Sequence, residues 1–316
     1  MADGFWPLQG ESAVVTDAEV GRLFPHVAEG ALLRATVEPG EQSKSVAEAE
    51  KVWSAFAQAG VDHETTVVAL GGGVIGDLAG FCAATYQRGI KFVQVPTTLV
   101  AQVDSAYGGK TGIDLPEGKN YVGSYHQPAA VLTDPALLET LPKEEVAAGY
   151  AEVVKTALIA GGELWERVAD GAPPTDPEVV WSCLRTKLAV VAADERDGGL
   201  RQVLNLGHTV GHAIETVTGY SRFRHGEAVG LGLLAAITLS GQPELRKQVS
   251  ELLEANGLPT STNDLDADAV LAATAVDKKR RGGKVGFVLV ESPGSVSFGN
   301  EISPEAVLNS IEELLQ

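Results

Sequence analysis

The chain has 316 residues, 44% hydrophobic and 21% charged, which suffices for two domains with substantial cores. Its formal net charge of -18 argues against nucleic acid or an anionic membrane surface as a partner. The two cysteines, Cys82 and Cys183, lie in separate segments without CxxC spacing, so a disulfide framework is not expected and a reducing compartment is.

The opening stretch "MADGFWPLQGESAVV" has no basic segment followed by an apolar run, so no secretory signal is expected. The longest apolar stretch, "AVGLGLLAAITLSG", is too short and too glycine-interrupted to span a bilayer, and a cytoplasmic protein is expected. "SAVVT" reads as a strand, and "SVAEAEKVWSAFAQAG" has helical periodicity with a glycine stop. "TTVVAL" reads as a fully buried strand that runs straight into "GGGVIGD". A helix ("LAGFCAATYQRG") and another strand ("KFVQVPTT") follow, the grammar of a parallel, doubly wound α/β layer.

After "TDPALLETLP" the pattern changes. Pro142 stands where the first turn of a helix would place it, with Glu144 and Glu145 near the positive end of that helix. Helices are expected over 143–159, 177–194, 205–217, 226–240, 243–256 and 266–276, then a β-like "VGFVLV" and a last helix. The expected architecture is an α/β N-terminal nucleotide-binding domain with a parallel sheet, residues 1–141, and a mostly α-helical C-terminal domain, residues 142–316.

Gly71, Gly73 and Gly76 spell GxGxxG between a strand and a helix. Glycines there let the backbone turn sharply and approach a pyrophosphate, while the helix N-terminus offers unpaired N–H groups. A dinucleotide fold of the usual kind also needs an acidic residue some 20 positions further on. Past Asp77 the next acidic residue is Asp104, beyond the following strand, so either the turn is structural or the ribose is held from elsewhere.

"DSAYGGKTGIDLPEGKN" carries Lys110, Lys119 and Asn120 among small residues, an anion-binding loop or an ordinary surface loop. Glu152 and Lys155 share an otherwise apolar helical face, either as a simple ion pair or with the glutamate inward as a metal ligand. His208 and His212 stack on one helical face, without the glutamate of HExxH, and His225 follows in "RFRHGEAVG". Spacing alone favours both His208 and His212 as ligands, joined by His225 and Glu152; a packed His212 and a helix-capping His225 are the alternatives.

Taken together, these segments resemble the 3-dehydroquinate synthase family. The matching pieces are "VVALGGGVIGDLAGFCAATYQRG", "VQVPTTLVAQVDSAYGGKTGID", "GKNYVGSYHQP", "ETLP", "GYAEVVKTAL", "AADERDGGLRQVLNLGHTVGHAIE", "HGEAV" and "DKKRRGGK", in the family's order over most of residues 38 to 290. The resemblance implies an enzyme that uses NAD and zinc (or cobalt) to convert the sugar acid phosphate DAHP to 3-dehydroquinate and phosphate. Transient oxidation, phosphate elimination, re-reduction and an intramolecular aldol step are implied.

It also implies a ligand set of Glu152, His208 and His225, with His212 touching substrate instead of metal. Gly72, Gly73 and Asp77 are implied at the pyrophosphate turn, Thr97, Thr98 and Thr140 as further NAD contacts, and Asp17, Glu41, Lys44, Lys110 and Lys119 as the rest of the cofactor set. For the anionic substrate it implies Arg88, Lys110, Lys119, Asn120, Lys155, Lys187, Arg201 and Asn205, with Asp104 near the ring hydroxyls and one of the pair Lys278 and Lys279. A homodimer is the implied assembly. Two departures stand out: a shortened N-terminal domain, which bears on Asp17, and Asp197 where a glutamate is typical.

Overall fold

The computed structural model describes residues 10–263, 265–280 and 286–315, and the side chains of all of these except 275–280. The chain divides into two compact units, Met1–Leu141 and Pro142–Gln316.

In chain order the first unit contains β1 (Ser12–Asp17), α1 (Ala18–Leu23), β2 (Leu33–Val37), α2 (Val46–Ala59), β3 (Thr66–Gly71), α3 (Gly73–Thr85), β4 (Phe92–Pro96), β5 (Lys110–Leu115), β6 (Gly118–Tyr125) and β7 (Ala130–Val131). Five strands form one parallel sheet in the order β2-β1-β3-β4-β7. β3 is buried along its whole length, as a strand covered on both faces must be, and after Thr66 its sequence "VVALG" is apolar instead of alternating. α2 turns Ala49, Val52 and Phe56 to the core; Ser45 caps its start by accepting the Glu48 N–H, and Gly60 ends it in the left-handed region.

The strand order reverses direction at β1 and β3, since β1 leads outward to β2 and β3 leads the other way to β4. Ligands of such sheets bind beyond the carboxyl ends of the strands flanking that reversal. Register places Asp17, Gly71 and Pro96 at those ends, immediately before Gly72 and Thr97 in the latter two strands. The segment after β4 makes a π-helical turn, Ala101–Ser105, a geometry that often marks functional sites.

The second unit contains α4 (Lys143–Ala160), α5 (Gly162–Ala169), α6 (Pro177–Ala193), α7 (His208–Val217), α8 (His225–Leu239), α9 (Pro243–Ala255), α10 (Ala267–Arg280), β8 (Phe287–Ser292), β9 (Ser295–Asn300) and α11 (Pro304–Glu312). α8 is buried almost all round, which its apolar sequence requires. It reaches its neighbours backbone to backbone: a Cβ on Gly226 would collide with the Ala148 carbonyl of α4, and one on Gly232 with the Gly207 carbonyl before α7. Among the described residues no helix is long and apolar enough to cross a membrane.

Several expectations need correction. The lysine-bearing segment is not a loop but an antiparallel hairpin of β5 and β6, with a register irregularity between Ile113 and Leu115. The glycines and the proline of this segment mask its alternation. β2, α5 and β9 are short elements that the periodicity did not single out. The helix expected from residue 205 starts at His208, because Leu200–Asn205 forms a 3-10 turn and Gly207, at φ 79°, breaks the path between them.

Candidate functional site

In the second unit three helices converge on one carboxylate. Glu152 of α4 is fully buried, and neither of its oxygens makes a hydrogen bond of normal geometry among the described residues. Its Oε1 lies 3.5 Å from His208 Nε2 and 3.3 Å from His225 Nε2, while Oε2 faces Lys155 Nζ at 2.5 Å. One donor atom from each of Glu152, His208 and His225 falls within 4.8 Å of the others. A buried carboxylate whose neighbours are two imidazole edges and one ammonium is a poor structural device but a good ligand set: three donors of the N and O types that divalent zinc accepts in catalytic sites.

His208 is held in the tautomer such a set requires. The Leu206 carbonyl lies 3.1 Å from His208 Nδ1, and since a carbonyl only accepts, Nδ1 carries the proton and Nε2 is left as the donor to metal. His225 stands at the first position of α8, where Gly226 permits the close approach to α4. Glu227 Oε2 accepts the Arg224 N–H at 2.8 Å and Arg224 Nε donates to Glu145 Oε1 at 3.0 Å, which ties the start of α8 to the start of α4. The other edge of the His225 ring, Nδ1, faces Glu215 Oε2 of α7 at 3.5 Å.

Charge at the cluster follows from these neighbours. Burial alone would raise the Glu152 carboxyl, but Lys155 and His208 outweigh it and hold it well below the ordinary carboxylate range. Burial opposes a charge on His225, yet the Glu152 and Glu215 carboxylates on either side push it up to about 10. His212, exposed on α7, stands beside the cluster with its ring 5.2 Å from that of His208 and 6.0 Å from that of His225. It is absent from the Glu152 group of donors, contrary to the reading by spacing.

Besides Lys155, two cations of this unit are buried in a chain of net charge -18: Lys187 and Arg201. Arg201 Nη1 donates to the Glu195 carbonyl at 2.5 Å, and its own N–H is accepted by Asp194. Asn205 ends the same 3-10 turn, half-buried. Asp197 keeps a left-handed backbone, φ 60°. Lys279 lies in α10, but its side chain, like that of Lys278, falls outside the described residues.

In the first unit the glycine turn forms a cradle. Gly72 caps α3 without any side-chain cap, so the first-turn N–H groups have no side-chain acceptor. A Cβ on Gly72 would lie 2.8 Å from Thr98 Cγ2, and one on Gly73 would lie 3.0 Å from Ser105 Oγ. The hydroxyls of Thr97 and Ser105 are buried and make no hydrogen bond among the described residues. Such a cradle fits the pyrophosphate of a dinucleotide.

Beside it, Lys44 organises the other expected cofactor residues. Its buried Nζ donates to Asp77 Oδ2 at 2.8 Å and Asn120 Oδ1 at 2.6 Å, with Glu41 at 3.6 Å and Asp114 at 4.0 Å. Desolvation works against its charge, but Asp77 and Glu41 carry its pKa above the ordinary lysine value. Lys119 joins through Glu41 at 3.7 Å. Asp114 accepts the Asn120 N–H at 2.7 Å and so holds that residue at φ 57°.

Asp17 and Thr140 use their side chains locally. Asp17 caps α1 through the Val20 N–H, and the Thr140 hydroxyl donates to the Leu137 carbonyl. Asp104 is half-buried in the π-helical turn, Lys110 is exposed at the start of β5, and Arg88 is exposed after α3 with φ 70°. Sequence reading did not single out Ser105, Asp114, Glu215 or the Leu206 carbonyl. Only Glu215 carried a signal, an acidic residue three positions after His212 on the same helix.

The 3-dehydroquinate synthase N-terminal model matches residues 34–148 and the 3-dehydroquinate synthase C-terminal model residues 149–280. The chain is 45% identical to the 3-dehydroquinate synthase of Halorhodospira halophila, over 97% of this chain and 87% of that protein. Among solved structures it is similar to the 2-epi-5-epi-valiolone synthase of Streptomyces hygroscopicus subsp. jinggangensis with NAD+ and Zn2+ bound, with TM-score 0.87 and 25% identity over 96% of this chain and 91% of that one. It is also similar to a 2-deoxy-scyllo-inosose synthase complexed with carbaglucose-6-phosphate, NAD+ and Co2+, with TM-score 0.84 and 26% identity over the same shares. With both family models covering most of its length and relatives this similar over nearly all of it, the chain belongs to the 3-dehydroquinate synthase family.

Proposed function

We propose that this enzyme converts DAHP to 3-dehydroquinate and phosphate with NAD and a divalent metal, zinc or cobalt, returning NAD unchanged at each turnover. The observation that carries the metal reading is the convergence of Glu152, His208 and His225, with both imidazoles presenting Nε2 to one buried carboxylate. When bound, NAD supplies hydride acceptance and return, and the metal supplies Lewis-acid polarisation of substrate hydroxyls.

The chain's own residues do the rest. In the first unit Gly72 and Gly73, with Thr97 and Thr98, receive the dinucleotide phosphates, and Glu41, Lys44, Asp77 and Lys119 order the rim; Asp17 and Thr140 are the outer cofactor contacts. In the second unit Lys155, Lys187, Arg201 and Asn205 meet an anionic substrate, while His212 moves a proton at a substrate hydroxyl. Arg88, Asp104, Lys110 and Asn120 are further substrate contacts, and Lys279 is the last member of the set. Cations buried in a strongly acidic protein favour a substrate with both a carboxylate and a phosphate over one with phosphate alone.

The test offers the zinc- and NAD-loaded enzyme DAHP and, separately, sugar phosphates of similar length without the carboxylate. DAHP turnover with kcat/KM at least about 100-fold above the others is the expected result, the discrimination available to a site whose charged groups would otherwise be left unpaired. Turnover of a non-carboxylated sugar phosphate in its place would move the chain to a valiolone- or inosose-forming activity. We further read the enzyme as a cytoplasmic homodimer. The two buried cysteines form no disulfide, which fits a reducing compartment, and sedimentation at micromolar concentration tests the assembly.

A further inference from the structure

His208 and His225 reach the same carboxylate oxygen, but their far edges differ. The Nδ1 of His208 is fixed by a carbonyl only two residues away, a short-range and uncharged restraint. The Nδ1 of His225 faces a carboxylate from another helix: Glu215 Oε2 of α7, 3.5 Å away. Glu215 is 3% exposed and belongs to neither the Glu152 group nor the expected substrate set. Burying a carboxylate in a helical core costs several kcal/mol unless a charged or protonated partner meets it.

We propose that Glu215 is a positioning residue of the metal centre: it accepts the Nδ1 proton of His225 and thereby presents Nε2 to the ion bound with Glu152 and His208. This rests on reading Glu152, His208 and His225 as the metal ligands. Three physical consequences follow from the arrangement. The ring of His225, placed at the first residue of a helix with its side chain partly exposed, is kept from rotating about its Cβ–Cγ bond. Its tautomer is fixed with the proton on Nδ1, so the lone pair faces the metal. A negative charge behind the ring makes Nε2 a stronger donor, as carboxylates behind zinc-bound histidines do.

A second grouping on the same side chain sets the rival role. His212, Glu215 and His225 also bring one donor atom each within 4.8 Å of the others. A cation held there would make Glu215 a ligand. It would need His225 Nδ1 free of its proton, the opposite of what positioning requires, so the two roles give opposite signatures at one atom.

The experiment strips metal from the full-length enzyme and titrates zinc against a chromogenic chelator at pH 7. Wild type, Glu152→Gln, Glu215→Gln and Glu215→Ala are compared, with stoichiometry and dissociation rate recorded. Wild type is expected to bind one zinc, and Glu152→Gln to lose it. Glu215→Ala should weaken zinc by about 10- to 100-fold, chiefly through faster release, and Glu215→Gln, which keeps the acceptor and loses the charge, should fall between. The metal-free melting temperature of Glu215→Gln serves as the fold control, since the amide is isosteric and needs no cavity.

Nitrogen-15 NMR of histidine-labelled, zinc-loaded wild type should show the His225 proton on Nδ1. Zinc binding that is equal in wild type and both Glu215 variants, while Glu152→Gln abolishes it, would overturn the proposal and leave the ligand reading intact. Two zinc equivalents in wild type, of which the Glu215 variants lose one and keep the other at full affinity, would overturn it in favour of a ligand role. No zinc binding by wild type would remove the ligand reading itself.

Discussion

The α-carbon of Gly226 rests against the main chain of Ala148, so closely that a methyl group there would overlap the Ala148 carbonyl oxygen. This one contact sets the distance between the helix that carries Glu152 and the residue next to His225. Gly226→Ala should therefore separate α8 from α4, because a backbone carbonyl has no rotamer by which to yield. The expected outcome is destabilisation by about 1–3 kcal/mol, the usual range for overpacking, with loss of zinc well beyond what that destabilisation explains. Urea unfolding with and without zinc, beside zinc content after dialysis, checks both parts.

Lys155 and Glu152 form a buried pair that a metal would partly relieve. Lys155→Met removes the ammonium and leaves the carboxylate with only the His208 and His225 imidazoles in an otherwise apolar helix interface. Metal-free protein should lose about 3–5 kcal/mol, and zinc should restore much of it. The melting temperature is expected to rise more on zinc addition in Lys155→Met than in wild type; an equal rise in both would mean that zinc does not meet Glu152.

The same cluster gives the metal-free enzyme a pH dependence at the alkaline side. His225 titrates near 6.5 when unfolded and is raised to about 10 when folded, so between these values the native state binds the extra proton. Stability from this group is complete below about pH 6.5 and is lost as pH rises towards 10. Denaturant midpoints of metal-free wild type should fall across that window relative to His225→Gln. If Glu152 and His225 hold zinc as proposed, the ion would displace this proton, so its affinity should rise with pH over the same range.

In the first unit Asp114 supports Asn120 and stands 4.0 Å from Lys44 Nζ. Asp114→Ala should release the β5–β6 hairpin tip from its left-handed turn and raise the KM for NAD by about 10-fold, an effect of about 1.4 kcal/mol, with a smaller change in kcat. Asp114→Asn keeps the acceptor for the Asn120 N–H and should recover most of the loss. An unchanged KM in the alanine variant would separate this network from cofactor binding.

Much of this was legible from sequence, for reasons that differ by element. β3 and the turn after it were readable because a wholly apolar run followed by GxGxxG has few other meanings in an α/β layer. The hairpin bearing Lys110 and Lys119 was not, since its strands carry glycine at Gly112 and Gly123, where cross-strand backbones approach too closely for a side chain, and at Gly118, which lies against the Tyr121 ring. Spacing put His208 and His212 on one face, which is true of α7, but a helical face does not say from which side Glu152 and His225 approach. The direction is set by Gly226 and by the Arg224–Glu145 contact, 79 residues apart in sequence, and no local pattern encodes that approach. The search for an acidic residue downstream of the glycine turn failed for a related reason. Asp77, Lys44 and Asn120 meet only because α3, the segment before α2 and the hairpin converge in space.

The most direct single measurement incubates zinc-loaded enzyme with DAHP and a catalytic amount of NAD, and follows phosphate, 3-dehydroquinate and NADH together. Phosphate and 3-dehydroquinate should appear in equal amounts, many turnovers per NAD, with no accumulation of NADH and with activity abolished by a chelator and restored by zinc. Net NADH formation, or phosphate released without a carbocyclic product, would contradict a cycle in which the same cofactor takes and returns one hydride.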